Sequence, residues 1–210
     1  LAYESGAKWF VWENVPGGKR RLVLDHASEL VLLLRERNGA EFAVVFRVYN
    51  DGVAFRYELS KVPKAQSFLL ERERTEFKFD SDFSCYFGQH SKPSFHGPQE
   101  WEFKPGKLSD IKPGDVIGCP VLVQTPAAWV ALTESDLVDW AGMWFGGVAR
   151  NSDGGVTLAA KLAPRLDGQG VVKGALPARS PWRVVIIGRN LGELIESDLV
   201  LNLARPADQR

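Results

Sequence analysis

Glu41-Phe42-Ala43-Val44-Val45-Phe46-Arg47-Val48-Tyr49-Asn50-Asp51-Gly52-Val53-Ala54-Phe55-Arg56-Tyr57-Glu58-Leu59 is the stretch from which the fold is read. Phe42, Val44, Phe46 and Val48 share one parity, and beyond Asn50-Asp51-Gly52 the residues Val53, Phe55, Tyr57 and Leu59 share the matching one. Strand side chains alternate between two faces, and a turn signal between two alternating runs is a hairpin, so the stretch predicts a pair of antiparallel strands. With Asp51-Gly52 as a two-residue loop, Val48 faces Phe55 and Arg47 faces Arg56. That register sets two guanidinium groups across from each other, a repulsive pair unless a carboxylate lies between them.

Outward from the hairpin, short runs at 19–24, 28–35, 67–70, 75–79, 119–124, 128–132, 157–160 and 182–187 have strand character, with Gly, Pro, Asp and Asn clusters between them. The run 28–35 holds five consecutive apolar residues, Leu30 to Leu34, and carries no period that separates strand from helix; it is read as a buried strand. Thr133-Glu134-Ser135-Asp136 before Leu137 has the form of a capping box, and Asn190-Leu191-Gly192-Glu193 before Leu194 repeats it, so each predicts a helix of no more than two turns. The stretch 93–113 has no clean period and reads as a binding or docking loop. Many short strands at close turn spacing predict an all-β antiparallel sandwich or barrel with a few short helices.

Composition narrows the function. Over 210 residues, 26 Lys and Arg balance 26 Asp and Glu, which leaves no basic excess or stripe for neutralising phosphates and argues against a nucleic-acid partner. With 45% hydrophobic and 25% charged residues the chain has a core to bury. No run approaches the roughly 18 uncharged apolar residues that span a bilayer, so no membrane role is expected. Leu1 opens the sequence without Met or the basic and apolar regions of a leader, and the residues themselves leave localisation open. Cys85 and Cys119 are expected as free thiols, since a chain of this size does not need a staple.

Chemistry-bearing patterns are sparse. His26, His90 and His96 are scattered; His90 and His96 share a loop, but without metal-ligand spacing. A Gly-x-Ser-x-Gly elbow, a phosphate-binding loop and a dinucleotide fingerprint are absent, and no catalytic residue is assigned. A glycosidase pair needs two carboxylates facing one substrate, and nothing in the spacing brings Glu100 or Glu102 to Glu134 or Asp136. Glu71-Arg72-Glu73-Arg74 reads as a solvated strand edge. Of seven tryptophans, Trp129 and Trp182 sit in apolar runs and read as core, whereas Trp101, Trp140 and Trp144 have polar or Gly neighbours and are candidates for a sugar-stacking surface. Glu134, where an apolar strand stops, either complements a helix dipole or offers an oxygen ligand to a hard cation such as calcium.

Three segments, taken in order, carry a resemblance: Phe46-Arg47-Val48-Tyr49-Asn50-Asp51-Gly52-Val53-Ala54-Phe55-Arg56-Tyr57, then Ala131-Leu132-Thr133-Glu134-Ser135-Asp136-Leu137 with Gly142-Met143, then Ser180-Pro181-Trp182-Arg183-Val184-Val185-Ile186-Ile187-Gly188. With them the sequence resembles the amino-terminal domain of glycoside hydrolase family 97, a group of α-glucosidases and α-galactosidases. The resemblance implies a β-supersandwich similar to the galactose-mutarotase fold over residues 1–204, less the family's first strands ahead of a region like 9–24. Residues 205–210 are then an exit linker toward a (β/α)8 barrel that bears the catalytic carboxylates and is absent from this sequence, so the 210 residues alone are expected to be inactive. The resemblance further implies that this domain lends a Glu to a calcium ion shared with the catalytic domain, and the matching position is Glu134. Arg47, Arg56, Trp182 and Arg183, within strands, are expected to hold the domain together. The implied partners are the barrel of the same polypeptide and an oligo- or disaccharide, in a periplasmic or secreted setting. The rival expectation is a freestanding carbohydrate-binding module built on the tryptophans and the loop 93–113; a third is a structural fragment with an uncovered apolar surface.

Overall fold

The computed structural model describes residues 2–13, 19–90, 94–95, 100–150 and 154–205. In chain order the strands are β1 (Ala2–Glu13), β2 (Leu22–Arg35), β3 (Glu41–Tyr49), β4 (Gly52–Lys61), β5 (Ser67–Leu70), β6 (Glu76–Phe79), β7 (Ser84–Gly88) and β8 (Phe103–Lys107). After a 3-10 turn at Leu108–Asp110 come β9 (Val121–Gln124), β10 (Trp129–Ser135), β11 (Met143–Arg150), β12 (Val156–Leu162), β13 (Val172–Ala175), β14 (Ala178–Arg179) and β15 (Trp182–Gly188). Two short helices close the chain, α1 (Leu191–Glu196) and α2 (Leu199–Leu203). The fold is all-β, antiparallel at every pairing described, as the turn spacing predicts. Contacts divide it into two compact units, one of Leu1–Phe68, Glu134–Val138 and Gly174–Arg210, the other of Leu69–Thr133 and Asp139–Lys173.

In the first unit β1, β2, β3, β4 and β15 follow one another across a sheet. One face carries small and buried residues: Val23 and Ala27 of β2, Ala43 and Val45 of β3, Ala54 of β4, and Trp182 and Val184 of β15. The opposite face carries the larger apolar parity recognised in the sequence, and its Phe46, Phe55 and Tyr57 remain half-exposed. Helix α2 lies against β2 and β15 with Leu199, Asn202 and Leu203 buried, and Asn202 Nδ2 donates to the Leu24 carbonyl at 3.1 Å.

In the second unit β10, β9, β7 and β8 form one sheet and β11, β12 and β6 another. Cys85, Phe87, Val121, Val123, Phe145, Val156 and Leu158 are buried in it. Ile117 exchanges both backbone hydrogen bonds with Phe145 at 2.8 Å, and the Phe145 ring meets Phe77 edge-on.

Several expectations need correction. The hairpin loop is Asn50-Asp51, with Tyr49 opposite Gly52, so Val48 faces Val53, Phe46 faces Phe55, and Arg47 faces Ala54 rather than Arg56. A shift of two residues preserves both faces. Gly52 is required for close approach and not for the turn: a Cβ there would lie 2.2 Å from the Val185 carbonyl oxygen and 3.0 Å from Leu199 Cδ1. The run 19–24 enters a strand only at Leu22, and from there it is continuous with 28–35 as β2, because twelve-residue pairing with β1 carries the ladder straight through Asp25, His26 and Ala27. No helix begins at Thr133: β10 runs on to Ser135, and the chain then turns at Asp136 with φ 59°. Glu71 to Arg74 lie outside any strand, though they are mostly exposed. The stretch 93–113 contains β8 and the 3-10 turn, and its remainder is partly outside the described residues. Asn190 does cap α1, its Oδ1 accepting from Glu193 N at 3.1 Å. Neither cysteine is in a disulfide.

Candidate functional site

Glu134 occupies the next-to-last position of β10, within the first unit. Its Oε2 accepts a hydrogen bond from Arg183 Nη1 at 2.7 Å; the arginine side chain is fully buried and that of Glu134 is 14% exposed. The two residues after it are also tied down. Ser135 Oγ donates to the Val200 carbonyl at 2.6 Å, and the Asp136 carboxylate accepts from Arg205 N at 3.2 Å and from Arg205 Nε at 2.8 Å. These bonds run against the capping box: the Asp136 carboxylate, which would close it, is engaged with Arg205 instead, and Ser135 is held to Val200 as the last residue of β10.

Arg183 stands opposite Phe55, Phe55 opposite Phe46, and Phe46 opposite Leu30, so one cross-strand row leads from the apolar face to the Glu134 pair. On the other face Trp182 is 1% exposed and serves as a floor for two guanidinium groups, Arg47 at 4.9 Å and Arg56 at 4.4 Å from ring centroid. Each cation has its own carboxylate, Glu29 for Arg47 at 2.9 Å and Glu58 for Arg56 at 2.5 Å. This is the arrangement anticipated for these residues, a brace within the sheet, with carboxylates resolving the repulsion between the two arginines. Asp25 and Tyr49 lie on the same face; burial pushes both upward, and the charge of Asp25 adds to the rise at Tyr49.

The second unit gathers aromatic rings. Trp101 packs 5.6 Å from Trp144 and 5.2 Å from His90, and Phe95 meets Trp144 edge-on at 6.0 Å. The Trp101 indole is seated between two glycines: a Cβ at Gly88 would fall 1.7 Å from its Nε1, and one at Gly118 2.0 Å from its Cζ2. Trp144 is 5% exposed, Trp101 and Trp140 are half-buried, and no tryptophan among those with described side chains is exposed. The candidate sugar-stacking residues are thus largely packing residues, and an aromatic platform for a freestanding module does not emerge from them. Sequence reasoning missed this cluster; the signal was the pair of glycines on either side of Trp101 in the chain, Gly88 and Gly118. His96 lies outside the described residues. Burial, with the charges of Asp110 and Asp82, pushes the Cys85 thiol up to about 12, which leaves it unreactive near neutral pH.

Among the described residues no group of three His, Cys, Asp or Glu could hold a metal, and no helix is long and apolar enough to cross a membrane. Glu134 is the donor type that calcium takes, a carboxylate oxygen. Because calcium takes roughly six to eight oxygens, the residues present fit as a contributor to a shared site and not as a complete one.

The fold and the Glu134 pair define an all-β antiparallel domain with a buried arginine paired to a carboxylate near the end of a strand. The family model described as Glycosyl-hydrolase 97 N-terminal matches residues 8–206, and the chain belongs to that family. A glycoside hydrolase family 97 enzyme from Pseudoalteromonas sp. strain K8, solved in complex with acarbose, is similar at 25% identity and a TM-score of 0.82 over 98% of this chain and 30% of that one. A beta-arabinopyranosidase is similar at 24% identity and a TM-score of 0.78 over 99% of this chain and 34% of that one. The galactosidase domain of an alpha-galactosidase-sucrose kinase shares the fold at 12% identity and a TM-score of 0.52 over 90% of this chain and 27% of that one. The chain therefore spans about a third of the length of these enzymes.

Proposed function

We propose that this chain is the amino-terminal part of a longer glycoside hydrolase, where it covers one side of a catalytic (β/α)8 barrel, shapes the active-site pocket and lends Glu134 to a calcium ion at the junction. The observation that carries the reading is the half-exposed apolar face of β2, β3 and β4, bordered by the Arg183–Glu134 pair. Val48 and Ile187 on that face, and Leu137 and Val138 just past Glu134, are between 43% and 53% exposed. Contiguous apolar surface of this kind marks an interaction site, and the greater length of the similar enzymes supports a partner in the same polypeptide.

In this reading residues 1–204 form the domain and 205–210 lead toward the barrel. The substrate is an oligo- or disaccharide with an α-glucosidic or α-galactosidic linkage, and the catalytic carboxylates belong to the barrel. A bound calcium ion supplies a fixed positive charge that holds and polarises sugar oxygens. Glu134 would be one of the residues that hold it. Calorimetric titration tests the assignment: the isolated chain should bind calcium weakly or not at all, and the full-length enzyme should bind it and lose affinity with Glu134→Gln. A full-length Glu134→Gln enzyme that keeps its calcium and its activity would show the assignment to be wrong.

A further inference from the structure

Arg183 is a fully buried cation at the second position of β15, next in sequence to the Trp182 floor and opposite Phe55. Burying a guanidinium is costly unless it is well paired, and a hydrophobic side chain of similar volume usually serves folding as well or better. Its presence therefore points to a task beyond stability. The bond it makes is directional: Nη1 reaches Oε2 of Glu134 at 2.7 Å, and the backbone carrying Glu134 is fixed by the bonds from Ser135 to Val200 and from Asp136 to Arg205. A carboxylate bonded to a fully buried guanidinium, on an anchored backbone, has a restricted orientation.

We propose that Arg183 is the positioning residue of Glu134, orienting its carboxylate so that it is presented to a cation in a preset direction. The inference rests on the calcium reading of Glu134 given above and adds to it the residue on which the ligand depends. Partners that hydrogen-bond a metal-ligating group typically change metal affinity by roughly 10–100-fold when removed.

The test uses the full-length polypeptide, with calcium affinity measured by competition against a chromophoric chelator and thermal unfolding followed in EDTA. The variants are Glu134→Gln, Arg183→Gln and Arg183→Lys. Lysine keeps the charge but loses the planar fork. Arg183→Lys should lower calcium affinity by about 10-fold or more while its unfolding midpoint in EDTA stays near that of the unmodified enzyme. A folded Arg183→Gln should lose at least as much. If Arg183→Lys binds calcium within about twofold of the unmodified enzyme while Glu134→Gln does not, the positioning role is overturned and the calcium reading survives. If Glu134→Gln itself keeps full affinity, the calcium reading fails and the positioning role with it. An Arg183→Lys chain that cannot fold also overturns the proposal, because a role confined to orientation leaves folding intact when the charge is kept.

Discussion

Trp182 shows how single side chains brace this domain, since one indole accepts two cations that would otherwise repel. A cation over an aromatic face contributes about 0.5–2 kcal/mol, and the desolvated ring buries far more than that in apolar area. Trp182→Ala should therefore cost about 3–5 kcal/mol in urea denaturation, and Trp182→Phe clearly less, because it leaves a ring beneath Arg47 and Arg56. Asp25 gives a prediction with a definite sign. Burial raises its carboxyl above the usual 3.8, against the opposing pulls of Tyr49, Arg47 and His26. A carboxyl that binds its proton more tightly when folded makes stability fall as pH rises from 3.8 through the folded midpoint. Asp25→Asn should consequently raise the urea midpoint at pH 7, and the advantage should shrink toward nothing below pH 3.8. The types and strand positions of Arg47, Arg56 and Trp182 were legible as structural from their apolar setting. The pairing of Arg183 with Glu134 was not, because it joins positions 49 residues apart, and no local pattern encodes a partner at that distance.

The elements themselves were legible wherever strand periodicity ran undisturbed. The 41–59 hairpin was recognised with both faces correct, yet its register was off by two residues because Gly52 was read as a turn residue. Its actual role is to let β4 approach β15, a demand made by a strand more than 130 positions away. Gly52→Ala should accordingly cost about 1–3 kcal/mol by forcing β15 and Leu199 outward, whereas Gly6→Ala on β1, with nothing within 4 Å of the added carbon, should change stability by no more than about 0.5 kcal/mol. Parallel urea titrations of the two variants check the contrast. β2 was read as two runs because Asp25 and His26 interrupt the apolar alternation; the continuous ladder to β1 carries the strand through them. The failed helix at Thr133 has the same origin, a local capping signal outweighed by hydrogen bonds to residues 200 and 205.

At the scale of the whole molecule, the consequential feature is a sheet with two unequal faces. The small-residue face is sealed, in part by α2, while the face with Phe46, Phe55 and Tyr57 is left half open. The chain belongs to the family 97 amino-terminal group and spans 30% of a similar enzyme, and in the proposed reading the open face has its partner within the same longer polypeptide. The family was legible from three ordered motifs. The open face was not, since alternation shows which residues share a side but not whether that side is covered. Hydroxyl-radical footprinting of this chain alone and of the full-length polypeptide measures the coverage directly. Phe46, Phe55 and Tyr57 should be oxidised readily in the isolated chain and strongly protected in the full-length protein; equal labelling in the two would contradict a β domain seated on a catalytic neighbour.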